Sequence, residues 1–207
     1  MPHPDKQPAI ETVSVHAGRE TDAGSGAVVP PIHLSTTFER DADGGYSRGY
    51  EYVWDGNPNR LGLERAMCAL EQGEWAVAFA SGTAATASVF RAAAARGHIV
   101  SSKAAYHGTL KQVGAMAGDG IARMVDTTDM ETVHAALEDD VALLFIETPA
   151  NPMMGISDLA GLIAMAHERG VAVACDNTFA TPVLQNPLAM GADLVVHSST
   201  KYLGGHS

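Results

Sequence analysis

The chain has 207 residues, 46% hydrophobic and 18% charged, the balance of a globular protein able to bury a sizeable core. Its 13 Lys+Arg against 24 Asp+Glu leave a net charge of -11, which argues against the basic surfaces needed for nucleic acid or an anionic membrane. No apolar run reaches membrane-spanning length, the start has no signal-peptide core, and Cys68 and Cys175 sit in apolar stretches with no CxxC pairing. The nine histidines show no metal-ligand spacing, so a cytoplasmic protein without a metal site is the expectation.

Residues 1–58 read differently from the rest. Gly and Pro recur (Gly24, Gly26, Pro30, Pro31, Gly44, Gly45) and no amphipathic period persists. The aromatics Phe38, Tyr46, Tyr50, Tyr52 and Trp54 mark this segment as an extended arm rather than a disordered tail. From Asn59 a regular alternation begins. A helical stripe (Leu61, Leu63, Ala66, Met67, Leu70) ends at Gly73, and Trp75–Phe79 reads as a first buried strand. A helix over Ala84–Arg96 follows, then a strand at His98–Val100 and a helix over Thr109–Ala117. A strand at Ala122–Val125 and a helix over Asp129–Leu137 come next. The alternation closes with a strand at Leu143–Ile146, a helix over Asp158–Arg169, and strands at Val171–Cys175 and Asp193–Val196. Strands apolar throughout, alternating with helices, predict an α/β fold with a mostly parallel sheet covered on both faces.

Ligands of such sheets sit at the carboxyl ends of the strands, so the residues after each strand are the candidates. Ser81-Gly82-Thr83 precedes a helix, where backbone N–H groups and the helix dipole favour an anion, though Ser-Gly there also serves as a plain cap. Tyr106 is either loop packing or a ring stacked on a planar ligand. Asn151, between two prolines, is a turn residue or a donor to a ligand oxygen. Asp176 ends an apolar strand, as an N-cap or as the partner of a protonated ring nitrogen. Ser198-Ser199-Thr200-Lys201 places hydroxyls beside one of only four lysines, Lys6, Lys103, Lys111 and Lys201. An anion site, a stacking ring, a carboxylate and a lysine able to form a Schiff base together describe a pyridoxal 5'-phosphate pocket. The Ser-x-x-Lys of penicillin-binding acyl enzymes is disfavoured, since Ser-Asp-Asn and Lys-Thr-Gly are both missing; no G-x-G-x-x-G supports a dinucleotide fold.

The motifs then fall into a familiar order. The chain resembles the trans-sulfuration, or Cys/Met-metabolism, family of pyridoxal-phosphate enzymes from Thr12–Gly18 onward. The likeness runs through Gly26–Ile32, Gly56–Arg60, Glu147–Pro152 and Asp176–Phe179 to the last residue. The resemblance implies an aspartate-aminotransferase-type (fold type I) domain over 59–207, preceded by an arm over 1–58 that makes subunit contacts. It implies that Lys201 carries the cofactor and shuttles protons, that Asp176 pairs with the pyridinium nitrogen, and that Tyr106 stacks on the ring and assists at the leaving group. Gly82, Thr83, Ser198 and Thr200 would hold the phosphate, Asn151 the phenolic oxygen with Glu147 nearby, and Tyr52 would reach a neighbouring subunit. A homodimer or homotetramer with shared active sites is implied, as is γ-elimination or γ-replacement on sulfur amino acids or activated homoserine esters. Gly108, where methionine γ-lyases commonly carry cysteine, leans the resemblance toward the cystathionine γ-synthase and γ-lyase branch over methionine γ-lyase or O-acetylhomoserine sulfhydrylase.

Two departures stand out. The family's Tyr-x-Arg before Gly-Asn-Pro is here Tyr52-Val53-Trp54, while Tyr46-Ser47-Arg48 lies earlier in the chain. The chain also stops at Ser207, before the family's smaller domain, so a fragment lacking the substrate half, inert beyond binding the cofactor or a partner subunit, stands as the alternative.

Overall fold

A computed structural model describes residues 8–205; the outermost parts of the expected arm and large domain, 1–7 and 206–207, lie outside the described residues. Contacts divide the chain into two compact units between Ala78 and Phe79.

The N-terminal unit holds α1 (Ile10–His16) and α2 (Pro58–Glu71), joined by long irregular segments. Helix α1 was not visible as an amphipathic period, and it buries none of its residues. Asn57 caps α2, accepting from the N–H groups of Asn59 and Arg60, with Pro58 at the first helical position. The helix ends with Gln72 in the left-handed conformation, one residue before the expected glycine. Gly18 and Gly62 permit the close approach of α1 and α2, since a Cβ on Gly18 would stand 2.0 Å from the Gly62 carbonyl oxygen.

The second unit carries α3 (Gly82–Ala94), β1 (His98–Ser102), α4 (His107–Gly118), β2 (Ala122–Val125), α5 (Met130–Ala136) and β3 (Val141–Glu147). It continues with α6 (Leu159–His167), β4 (Ala172–Asp176), α7 (Thr181–Leu184) and β5 (Leu194–Val196). The strands form one sheet in the order β2-β1-β3-β4-β5, every pair parallel. This is the expected α/β architecture. Alternate residues of the inner strands feed two cores. Val100, Leu144, Ile146, Val173 and Cys175 pack with Val133 of α5 and with Leu162, Ile163 and Ala166 of α6. Ile99, Leu143, Phe145 and Ala174 pack on the other face with Phe90 and Ala93 of α3 and Val113 of α4. Burial on both faces is why these strands read as unbroken apolar runs.

One expected strand is missing. Trp75–Phe79 is extended but has no ladder partner among the described residues, and Trp75, Val77 and Phe79 are exposed. An apolar alternation shows only that a segment suits a sheet; a strand also needs a neighbour to receive its N–H and C=O groups.

The sequence of strand order makes β1 and β3 neighbours although β2 intervenes in the chain, so the crevice of the topological switch opens above their C-terminal ends. In the core on the α3 face, Phe90 and Phe145 meet edge to face, ring centroids 4.9 Å apart, tying α3 to the central strand. Phe90→Ala will cost about 3–5 kcal/mol of stability, read from urea unfolding followed by circular dichroism.

Candidate functional site

A cavity of about 230 Å³ lies at the carboxyl edge of the sheet within the second unit. Gly82, Thr83, Tyr106, Asn151, Asp176, Ser198, Thr200 and Lys201 all line it, so the sequence-predicted residues of this unit come together. Tyr52 belongs to the N-terminal unit, where its ring lies edge-on to Trp54 at 5.7 Å.

One end of the cavity is built to receive an anion. Ser81 caps α3, its Oγ accepting from the Ala84 N–H at 3.1 Å, which leaves the N–H groups of Gly82 and Thr83 without intrahelical partners. Ser198 comes so close that a Cβ on Gly82 would stand 2.9 Å from the Ser198 Cβ. Glycine is required there by the approach of the two loops and not by its own backbone angles. The Ser198 Oγ lies 3.5 Å from the Thr200 Oγ1, which in turn accepts from the Lys201 Nζ at 3.3 Å. The Ser198 N–H donates to the Thr178 Oγ1 at 2.9 Å, locking β5's exit to β4's.

Carboxylates hold the other end. Glu147 and Asp176 are ladder partners on β3 and β4, so their side chains leave the sheet on the same face. Burial pushes the Asp176 carboxyl above its ordinary range, opposed by hydrogen bonds from Thr178 and by the charge of His197. The Asp176 Oδ1 accepts from the Thr178 N–H at 3.0 Å. A desolvated carboxylate is costly unless donors or a cation compensate it, and this one faces a cavity. Burial likewise raises Glu147 to about 7, against two backbone hydrogen bonds that hold it down and with the Asp176 charge adding to the rise. Tyr106, at the mouth, is half-exposed, its ring leaning over the first turn of α4, where a Cβ on Gly108 would lie 2.5 Å from the Tyr106 Cε1.

Thr86, Thr109, Thr178 and Phe179 line the same cavity. Thr178 and Phe179 belong to the Asp176–Phe179 motif, though no role was read for them; Thr86 and Thr109 lie inside helices and carry no strand-end signal. Asn177 is fully buried and donates to the Gln185 carbonyl, while the Gln185 Nε2 donates to Asn177 and to the Thr148 carbonyl, bracing the loops after β3 and β4 against each other.

In the N-terminal unit, Arg48 pairs with Glu39 at 3.0 Å and Asp41 at 3.7 Å. Arg60 donates to the carbonyls of Val53 and Trp54 at 3.1 and 3.0 Å, pinning the Tyr52-Val53-Trp54 turn to α2. Trp54 itself is exposed.

A parallel α/β sheet with an anion cradle at a helix start, a ring at the mouth, a buried carboxylate and a lysine is the frame of a pyridoxal-phosphate-binding domain. The family model described as "Cys/Met metabolism PLP-dependent enzyme" matches residues 11–207, and the chain belongs to that family. It is 42% identical over 199 residues to a cystathionine gamma-synthase of Mycobacterium tuberculosis, covering 95% of this chain and 51% of that protein. A human cystathionine gamma-lyase is 40% identical over 201 residues, with 95% and 49% covered. The crystal structure of a cystathionine gamma synthase from Xanthomonas oryzae pv. oryzae in complex with cystathionine superposes with a TM-score of 0.90 at 39% identity, covering 98% of this chain and 53% of that one. The chain spans about half the length of the curated relatives it matches. Structural neighbours at this identity place the fold among the fold type I pyridoxal-phosphate enzymes.

Two outcomes test the site. Gly82→Ala will weaken pyridoxal-phosphate binding at least about tenfold, roughly 1.4 kcal/mol, in a fluorescence titration, whereas Gly114→Ala on α4, with nothing within 4 Å of its Cβ, will not. The second concerns pH. Glu147 has its folded-state pKa raised from 4.5 to about 7, so the folded chain holds that proton more tightly than the unfolded chain. The associated stability is fully present below the ordinary value and is lost as pH rises through about 7. The stability difference between wild type and Glu147→Gln, read from urea midpoints of the cofactor-free chain, will therefore shift across that window in favour of the variant, by on the order of 3 kcal/mol.

Proposed function

We propose that the protein to which this chain belongs is a pyridoxal-phosphate-dependent trans-sulfuration enzyme. It acts on sulfur amino acids or activated homoserine esters by γ-elimination or γ-replacement. The observation that carries this reading is the gathering of residues from five loops, each at the carboxyl edge of the sheet or a helix start, around one cavity. The names of the relatives support the substrate class.

When bound, the cofactor supplies an electron sink that makes the protons beside a substrate's amine acidic. The chain's own residues do the rest. Lys201 would supply the amine that holds the cofactor covalently, and as a free amine would move protons at the substrate carbons. Asp176, pressed toward its neutral form by burial, would be the partner for a protonated ring nitrogen, whose charge would favour its ionised form. The Gly82 and Thr83 N–H groups with the Ser198 and Thr200 hydroxyls anchor the phosphate, and the α3 dipole adds to their attraction. Tyr106 and Asn151 line the same cavity; Tyr106 would stack on the ring and assist the leaving group at the γ position, and Asn151 would donate to the ring oxygen. Asp176 and the anion cradle thus engage the two charged ends of one ligand.

The assembly proposed is a homodimer or homotetramer, in which residues 1–58 form an arm against a neighbouring subunit and Tyr52 reaches that subunit's phosphate. The exposed apolar residues Val28, Ile32, Leu34 and Trp54 of this segment support a covering partner. With Arg48 engaged by Glu39 and Asp41 and Trp54 in the family's arginine position, no arginine of this segment is assigned to the phosphate. Among the described residues no helix is long and apolar enough to cross a membrane. Neither cysteine forms a disulfide. A cytoplasmic setting fits both observations.

Mixing the chain with pyridoxal phosphate and trapping with borohydride will yield an adduct on Lys201, located by peptide mass, and Lys201→Ala will lose it and any lyase activity. An unchanged adduct on another lysine would sink the reading. A folded chain that takes up no cofactor would favour the inert fragment.

A further inference from the structure

Glu147 is the one buried charge of the cavity to which the proposed chemistry gives no task. It is the last residue of β3 and only 5% exposed. Its two oxygens are spent on main chain in opposite directions: Oε2 accepts from the Tyr106 N–H at 2.7 Å, and Oε1 from the Asn151 N–H at 2.8 Å. Tyr106 opens α4 beyond β1, and Asn151 follows β3, so one carboxylate spans the crevice between the two strands at the topological switch. Tyr106, the N-cap of α4, has no side-chain cap hydrogen bond; the Asn151 turn is also closed by the Ala150 N–H donating to the Gly155 carbonyl, and its loop is braced at Thr148 by Gln185.

We propose that Glu147 is a positioning residue. Its ionised carboxylate clasps the backbones of Tyr106 and Asn151 and sets the separation of the ring and the amide across the cavity, and the clasp slackens when the carboxyl is protonated. The roles given to Tyr106 and Asn151 rest on the cofactor reading above; the clasp itself does not.

The chemistry follows from the acceptor count. An ionised carboxylate offers lone pairs on both oxygens and receives both N–H groups with charge assistance. Adding a proton turns one oxygen into a hydroxyl, a poor acceptor already occupied as a donor, and one N–H is left facing it. The charged surroundings decide when this happens. Asp176 on β4 is the carboxylate beside it. Tyr106 on the α4 side and Lys201 beyond β5 line the same cavity. The loop 148–152 brings no titratable side chain, and Lys103 at the end of β1 is turned away to Asp126 at 3.0 Å. In the cofactor-free chain the nearest influence is therefore a like charge, and burial raises Glu147 to about 7. A cation arriving beside Asp176 reverses that influence and favours the ionised form of both carboxylates. Loading the site would thus tighten the grip on the two loops that flank the ligand, so the cavity is set to its working width by the ligand's own charge.

Residue-resolved amide hydrogen exchange tests this. In wild type, protection of the Tyr106 and Asn151 amides, corrected for the intrinsic pH dependence of exchange, will fall at least about fivefold from about pH 8 to about pH 6. Adding pyridoxal phosphate will restore it at the lower pH. In Glu147→Gln, whose side chain keeps one acceptor oxygen, at least one of the two amides will exchange fast at every pH, with cofactor present or not, while β3 and β4 ladder amides keep their protection. The wild-type pH profile decides the matter even where the variant fails to fold. Protection at both amides that is flat with pH in wild type would overturn the proposal, as would a loss in the variant spread evenly through β3 and β4. A chain that shows the pH-dependent protection but takes no pyridoxal phosphate on Lys201 would overturn the cofactor reading and leave the clasp standing.

Discussion

The ladder between β3 and β4 governs this molecule. It runs from Leu143 and Ala172, through apolar pairs, to Glu147 and Asp176, whose carboxyls face the cavity and accept from main-chain N–H groups. The same register that interleaves two cores sets two carboxylates side by side on one face. Burial there raises the proton affinity of both groups.

Around that pair, the remaining polar groups divide by charge. Donors gather where α3 begins and where β5 ends, and acceptors gather at the ends of β3 and β4. A ligand that is negative at one end and carries a protonatable nitrogen at the other satisfies both at once, and a simple anion or a simple cation satisfies only half. Because each loop is sewn to the next (Ser198 to Thr178, Asn177 to Gln185, Gln185 to Thr148, Glu147 to Tyr106 and Asn151), the polar groups are held in place before any ligand arrives.

Much of this could be read from the residues in order, for a physical reason. Strands buried on both faces must be apolar throughout, so the polar residue that ends each of them stands out, and in a parallel sheet those ends share one edge. That logic located Asp176, Asn151, Tyr106, Gly82 and Lys201. Hydrogen bonds that join distant loops leave no local mark, so the grip of Glu147 on Tyr106 and Asn151 and the bracing by Gln185 were not legible. Nor was the isolation of Trp75–Phe79, because pairing belongs to two segments and the pattern describes one. Helix α1 escaped because none of its residues is buried, which leaves no stripe to detect. The compact units part between Ala78 and Phe79, with α2 in the N-terminal one.

Gly108 shows a less familiar use of glycine. Its backbone angles are within reach of any residue, so it is not there for its own conformational range. What the missing side chain frees is the neighbour: the Tyr106 ring reclines in the volume a methyl would fill. The residue acts as an empty seat. Any side chain placed in it takes away one resting orientation of the aromatic ring and narrows the set of rotamers from which that ring must choose when something enters beside it.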